Sequence, residues 1–375
     1  MNTPASHRFN PSVLREYDIR GIVGDTLGEA DAFALGRTFA ALALEQGASR
    51  IAVGRDGRSH SPMLEQALVD GLTESGIHVV RIGMGPSPML YFATCALDVD
   101  GGIQVTGSHN PADYNGFKML LGGSSVFGAA IQDLGERSAE GRWSSGSGSI
   151  EDKDIAAAYA DRLVADFKGG AFRIGWDAGN GAAGPALELL LKRLPGEHHA
   201  IFTEVDGSFP NHHPDPTVEA NLAELKALVA AGELDFGIAF DGDGDRIGAV
   251  DGRGRVIWGD QLLAILAGPV LAELPGATII ADVKASQILF DRVAELGGRP
   301  LMWKTGHSLI KAKMKETGAP LAGEMSGHIF FKHRWYGFDD ALYAAVRLIE
   351  AVAQSGKSLT ELMDAMPKSL ATPEL

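Results

Sequence analysis

Asp241, Asp243 and Asp245 alternate with glycines in the run DGDGDR at 241–246, directly after the apolar stretch Phe236–Phe240. Three carboxylates at i, i+2 and i+4 can curl around one hard cation, because Mg²⁺ and Ca²⁺ take oxygen ligands. An EF-hand loop is excluded: it needs Gly at its sixth position and Glu at its twelfth, and those positions hold Arg246 and Gly252. Mg²⁺ prefers six oxygens, so three carboxylates leave room for a phosphate oxygen or water. The plainer reading, a solvated acidic turn, is disfavoured because unpaired carboxylates this close repel one another.

Three further loops carry reactive side chains. TGSHNP at 106–111 follows the apolar segment Gly102–Val105 and sets Ser108 beside a glycine that lets backbone approach closely. Ser108 could be a nucleophile or a phosphate carrier. It does not fit G-x-S-x-G, so the hydrolase elbow is disfavoured. His109 is not automatically its base, because neighbouring side chains on an extended loop diverge. GEMSGH at 323–328 follows Leu321–Ala322 and offers Glu324, Ser326 and His328 to several hydroxyls of a sugar. KTGHS at 304–308 closes another strand and could reach a phosphate. Each of these loops, taken alone, could equally be structural.

The elements that must position these loops alternate along the chain. Glu29–Gln46 sets Ala32, Leu35, Phe39 and Leu42 on one helical face, and Ile51–Val53 is a buried strand ending in GRDGR at 54–58. Ser61-Pro62 looks like an N-cap with proline at the first helical position, opening a helix to Glu74 before strand His78–Ile82. A second block runs through helix Ile155–Phe167, strand Arg173–Trp176, helix Pro185–Leu194, strand Ala200–Val205, helix Leu222–Ala231 and strand Phe236–Phe240. A third has helix Gln261–Glu273, strand Thr278–Ala281, helix Gln287–Leu296, strand Leu301–Trp303 and helix Leu309–Glu316. Trp143–Ile150 (WSSGSGSI) reads as a linker. The pattern predicts three similar α/β domains with mainly parallel sheets, and ligands beyond the carboxyl ends of the strands. At roughly 100–200 residues per domain, 375 residues hold two to four.

Charge and composition exclude other classes. There are 33 Lys and Arg against 48 Asp and Glu, a net charge of −15, which argues against nucleic-acid or anionic-membrane partners. A small anionic substrate needs only a local basic pocket. The single cysteine, Cys95, allows no internal disulfide, so a reducing compartment is expected. The N-terminus has no apolar run, and the longest uncharged stretch, Ile82–Leu97, contains Pro86 and Pro88 and falls short of the roughly 20 residues needed to span a bilayer. A cytoplasmic monomer is expected.

Taken together, TGSHNP, DGDGDR and GEMSGH, in that order and wide spacing, strongly resemble the α-D-phosphohexomutase superfamily, above all its bacterial phosphomannomutase/phosphoglucomutase branch. REYDIRG at 15–21, VGRDGR at 53–58, NGFK at 115–118, FPNHHPDP at 209–216 and KTGHSLIK at 304–311 support it, and the likeness runs from Phe9 to Thr372. The resemblance implies three similar mixed-sheet α/β domains around a central cleft. Residues 1–150 would hold the phosphoserine, 151–255 the metal and 256–367 the sugar. It implies reversible phosphoryl transfer between hexose 1-phosphate and hexose 6-phosphate, for glucose and mannose, with Mg²⁺ and glucose 1,6-bisphosphate as intermediate and activator.

By the same resemblance Ser108 would be the phosphoserine, and Asp241, Asp243, Asp245 and a Ser108 phosphate oxygen would hold Mg²⁺. Lys118 assisted by Arg20 would move protons, with His328 and His307 as alternatives and His109 as a further catalytic group. Tyr17, Lys284, His307, Glu324, Ser326 and Arg246 would bind substrate. The family normally adds a fourth, C-terminal domain that grips the non-reacting phosphate. The sequence stops at Leu375, just after Pro367, Lys368 and Thr372-Pro373, where that domain should begin. Residues 368–375 are therefore expected to be its stub, and turnover is expected to fall by orders of magnitude, since binding at the distant phosphate positions the reacting hydroxyl. The competing readings are a phosphoglucosamine mutase, a non-catalytic sugar-phosphate binding module and a metal-dependent phosphatase.

Overall fold

Three of the four chemistry-bearing loops sit where a strand ends and the chain turns straight back. In the computed structural model, which describes residues 6–367, the strand Gly101–Val105 returns through 106–113 as the antiparallel strand Tyr114–Leu121. Phe236–Phe240 returns through 241–246 as Ile247–Asp251, and Leu321–Gly323 returns through 324–328 as Ile329–Phe331. One device is thus used three times: a buried parallel strand, a reactive loop at its carboxyl end, and an antiparallel return.

Three mixed sheets result. The first runs in the order Ile19–Ile22, Tyr114–Leu121, Gly101–Val105, Arg50–Arg55, His78–Met84 and Ser149–Asp152, parallel from the third strand onward. The second runs Val256–Ile257, Ile247–Asp251, Phe236–Phe240, Phe172–Asp177 and Gly196–Ile201. The third runs Arg299–Trp303, Thr278–Asp282, Leu321–Gly323 and Ile329–Phe331. Helices link the parallel strands, as the βαβ geometry requires. The three-domain α/β architecture expected from the sequence is the one observed. The stub expected at 368–375 lies outside the described residues.

One apolar core fills the first sheet and its helices around Phe39, Ile51, Val53, Leu68 and Ile103. A larger core runs without a break from Tyr91 and Phe92, through Trp176 and Phe240 of the second sheet, to Leu263 and Leu342. Helix Ser87–Ala96 belongs to the first sheet by sequence and to this second core by packing, so it ties the two walls of the cleft together. Among the described residues no helix is long and apolar enough to cross a membrane.

Several local expectations are corrected. The strand expected at Ala200–Val205 is Gly196–Ile201, because Phe202 takes a positive φ of 54° and ends the pairing with Phe172–Asp177. Ser61 is not a cap but the first helical residue; its hydroxyl donates to Asp56 Oδ1 at 2.5 Å, since that buried carboxylate needs the donor. His307 and Ser308 open the helix His307–Thr317 rather than closing the preceding loop. The serine-glycine stretch at 143–150 ends as strand, Ser149–Asp152, which straddles the boundary drawn at 150. Buried Arg37 holds it down, donating to Ser144 O at 3.0 Å with its guanidinium 5.0 Å from the Trp143 ring.

Helix Ala341–Ser355 is buried on nearly every face, and Asp340 caps it by accepting from Tyr343 N at 2.9 Å. Tyr159 Oη also donates to this carboxyl, at 3.0 and 2.9 Å. Burial raises Asp340 to about 7 despite these donors. The folded carboxyl therefore keeps its proton between about pH 4 and 7, where the unfolded one has lost it, so stability falls as pH rises through that window, by up to roughly 4 kcal/mol from this group. Asp340→Asn retains a capping oxygen and does not titrate. Denaturant melts of both proteins across this range should show the variant with the shallower loss; identical slopes would refute the assignment.

Candidate active site

Ser108 stands at the tip of the first reactive loop with φ of 52°, a left-handed conformation that costs a non-glycine residue free energy. Its amide donates to Thr106 Oγ1 at 2.8 Å, and its Oγ lies 3.1 Å from His109 Nδ1 and 3.4 Å from Asp241 Oδ2. The left-handed turn brings His109 back onto its neighbour, which corrects the expectation that the two side chains diverge. Burial, with Arg246 and Arg20 nearby, pulls His109 down to about 3, leaving a neutral imidazole. The first and second sheets meet at this point. A Cβ on Gly242 would lie 2.4 Å from Ser108 O, so only glycine allows the two loops to close.

Asp241, Asp243 and Asp245 are fully buried, and one oxygen from each lies within 4.8 Å of the others. Asp241 Oδ1 accepts the amides of Asp245 and Arg246, both at 3.1 Å, which curls the loop. Lys118, on the return strand Tyr114–Leu121, reaches Asp243 Oδ2 at 2.7 Å and Asp245 Oδ2 at 2.5 Å. Burial opposes its charge, but these two carboxylates outweigh burial and hold the ammonium well above its ordinary range. Burial and the neighbouring charges of Asp245 and Asp243 push Asp241 well up. Burial also works against ionised Asp245, yet Lys118 and His328 hold it well down. Asp243 Oδ1 is buried without a hydrogen-bond partner, and Asp245 Oδ1 has His328 Nε2 at 3.3 Å. Three clustered hard oxygen donors, one of them unpartnered, fit a divalent metal.

Arg20, paired with Asp18, lies buried beside this cluster; burial lowers its affinity for the proton, but Asp18, Asp243 and Asp245 more than restore it. Ser87, at the start of its helix, donates to Asp243 Oδ2 at 2.5 Å. Groups that orient metal ligands typically affect metal affinity about 10–100-fold. Ser87→Ala is therefore expected to weaken divalent-metal binding about 10-fold, measured by calorimetric titration, and an unchanged affinity would refute the role.

The third reactive loop joins the second through backbone: Ile247 N donates to Gly327 O at 3.0 Å, and Arg246 pairs with His328. His328 lies 3.3 Å from Asp245 Oδ1 and 3.1 Å from Glu324 Oε2, with Ser326 Oγ at 3.0 Å. Burial opposes its charge, but Asp245 and Glu324 raise it to about 10. His307 stacks on His328 with centroids 5.7 Å apart; burial and the charges of Lys311 and His328 hold it well below its ordinary range. Tyr17 closes the far side, donating to Thr305 O at 3.0 Å. Arg246 Nη2 lies 3.5 Å from His109 Nε2.

The three loops also match known sequence families in order. Phosphoglucomutase/phosphomannomutase alpha/beta/alpha domain I matches residues 12–142, domain II residues 156–254, and domain III residues 258–370. The chain belongs to the phosphoglucomutase/phosphomannomutase family. It is an enzyme of that family, an isomerase. A phosphomannomutase/phosphoglucomutase of Pseudomonas aeruginosa is 46% identical over 376 residues, spanning 100% of this chain and 81% of the relative. A phosphoglucomutase of Neisseria gonorrhoeae is 48% identical over 97% of this chain and 79% of its own length. A crystal structure of a family protein from Burkholderia thailandensis superimposes with a TM-score of 0.94 at 48% identity, covering 97% of this chain and 81% of that one.

Of the residues the family resemblance singles out, the fold gathers Ser108, His109, Arg20, Lys118, the three aspartates, Arg246, Glu324, Ser326, His328, His307 and Tyr17 around one cleft. Lys284 is exposed on the loop after Thr278–Asp282, where its charge acts on Asp282. Sequence reasoning missed Ser87, Thr106 and Asp339, whose Oδ2 faces His307 Nδ1 at 3.7 Å and His328 Nε2 at 3.9 Å. It also gave no role to Asp56 and Arg58, although GRDGR was visible as a loop. Nothing local to Ser87 signals a partner 156 positions away.

Proposed function

We propose that this enzyme interconverts hexose 1-phosphate and hexose 6-phosphate, on glucose and mannose, through a phosphorylated Ser108 and a hexose 1,6-bisphosphate. The observation that carries the reading is the seat of Ser108 Oγ, 3.4 Å from Asp241 Oδ2 and 3.1 Å from His109 Nδ1, at a loop tip beside the metal-fitting carboxylates. The names of the Pseudomonas and Neisseria relatives support both sugars.

In the first transfer the free hydroxyl oxygen of the hexose 1-phosphate forms the new O–P bond, and the Ser108 Oγ–P bond breaks. Lys118, an ammonium beside Asp243 and Asp245, gives a proton to Ser108 Oγ as the Oγ–P bond breaks and, then neutral, takes the hydroxyl proton, with Arg20 beside it. After the bisphosphate turns over, Ser108 Oγ attacks the other phosphate and gives its proton to His109 Nδ1, the departing sugar oxygen takes a proton from Lys118, and the His109 proton then returns to Lys118. Because the path is reversible, one group serves as acid and base in turn. Asp241, Asp243 and Asp245 would hold Mg²⁺, which would supply charge neutralisation for the transferred phosphoryl oxygens. Glu324, Ser326 and His328 would take the sugar hydroxyls, and Arg246 and Lys284 a phosphate. Glucose 1,6-bisphosphate would prime Ser108.

Phosphate bookkeeping tests the reading. With glucose 1-phosphate and Mg²⁺, a mutase yields glucose 6-phosphate with no inorganic phosphate. Net phosphate release would point to a phosphatase, and binding without any exchange would point to a sugar-phosphate binding module.

A further inference from the structure

Beneath the Ser108 loop lies an arginine whose four terminal N–H groups are all engaged. Arg58, 1% exposed, donates through Nη1 to Pro111 O at 2.5 Å and Tyr114 O at 3.0 Å. Through Nη2 it donates to Ser108 O at 2.8 Å and Asn110 O at 2.6 Å. Its Nε lies 3.2 Å from Asp56 Oδ2, and that same oxygen accepts the amide of Gly107 at 3.0 Å. Four carbonyl oxygens of one loop thus point at one guanidinium. Without a cation they would repel one another, and the loop would relax.

The other side of Arg58 is closed by the second sheet's connections. The Phe209 ring lies 5.1 Å from the guanidinium, and a Cβ on Gly207 would lie 2.6 Å from Arg58 Cα. The space is filled from above as well: a Cβ on Gly107 would sit 2.4 Å from the guanidinium carbon.

We propose that Arg58, backed by Asp56 and capped by Phe209, is a positioning residue for the phosphoryl transfer. It fixes the left-handed turn that aims Ser108 Oγ at the cleft through the Ser108 backbone, and it has no contact with the Ser108 hydroxyl or hydrogen bond to the three aspartates. This rests on the reading of Ser108 as the phosphate carrier. Only arginine meets the requirement, since lysine offers three donors from a point charge and cannot serve four carbonyls and a carboxylate in a planar fork. A displacement of about 1 Å at a reacting group costs about 10²-fold in rate.

The test measures kcat, KM, Mg²⁺ affinity and the rate at which Ser108 takes up phosphate from glucose 1,6-bisphosphate. Arg58→Lys is expected to lower kcat and the phosphate-uptake rate about 100-fold, with KM and Mg²⁺ affinity within about threefold and cooperative unfolding retained. Gly107→Ala, which crowds the guanidinium without changing charge, is expected to give the same split, and decides the matter if Arg58→Lys does not fold. A kcat within threefold of the parent in the folded variants would overturn the inference. So would a joint collapse of Mg²⁺ affinity, KM and stability, which marks a merely structural arginine. Ser108→Ala run alongside separates the failures: an active Ser108→Ala overturns both this inference and the phosphoserine reading, whereas an inactive one beside a fully active Arg58→Lys overturns the positioning role alone.

Discussion

Ser108→Ala is expected to lower turnover at least about 10⁴-fold while leaving the fold intact, in the range seen when a covalent nucleophile is removed. The two predicted effects separate cleanly because the Ser108 side chain makes few contacts. Among the described residues its Oγ hydrogen-bonds only with His109 Nδ1 at 3.1 Å and Asp241 Oδ2 at 3.4 Å, while the loop is held through the Ser108 backbone. Alanine has the same difficulty as serine with a φ of 52°, so the substitution adds no new backbone strain. Stability should therefore move by less than about 1 kcal/mol. Steady-state assays with glucose 1-phosphate, beside a thermal melt, check both numbers; turnover within tenfold of the parent would refute the role.

Lys118→Met carries the second large effect, and it links activity to stability. The ammonium neutralises Asp243 and Asp245, all three side chains lying within 5% exposure. Removing one partner from a buried ion pair costs about 3–5 kcal/mol, because the remaining charge is left without compensation. The metal-free variant should be destabilised by that order. On the proposed metal site Mg²⁺ would compensate the same carboxylates, so it should raise the variant's melting temperature more than the parent's, by binding to the native state alone. With Mg²⁺ saturating, kcat should still fall about 10²–10⁴-fold for want of the proton-transfer group. An equal Mg²⁺ increment in both proteins would contradict the account of the cluster, and an unchanged kcat would remove Lys118 from proton transfer.

What could be seen in the sequence follows from the period and chemistry of each segment. Parallel strands such as Phe236–Phe240 are continuous apolar runs ending in glycine and acid, so both the strand and the DGDGDR loop were legible together. The antiparallel returns were not. Tyr114–Leu121 is buried along almost its whole length and offers no clean alternation, so the position of Lys118 on the face opposite Phe117 and Met119 came only from family resemblance. Helix Ala341–Ser355 gives no clear signal for a related reason. Its polar residues Arg347 and Glu350 are buried as a pair 3.0 Å apart, and no polar stripe marks its boundary. His109 turns back onto Ser108 because divergence of neighbours holds for extended backbone, and the turn at Ser108 is left-handed. Ser87, Arg58 and Asp339 act through partners distant in sequence, which no local pattern encodes.

The most direct measurement is peptide-resolved mass spectrometry of the protein after incubation with Mg²⁺ and glucose 1,6-bisphosphate, then again after adding excess glucose 6-phosphate. One phosphate on the peptide bearing Ser108, lost to glucose 6-phosphate with glucose 1,6-bisphosphate regenerated, is the predicted result. No phosphate on Ser108, or a phosphate on another residue that exchanges with the sugar while Ser108 stays unmodified, would contradict the account.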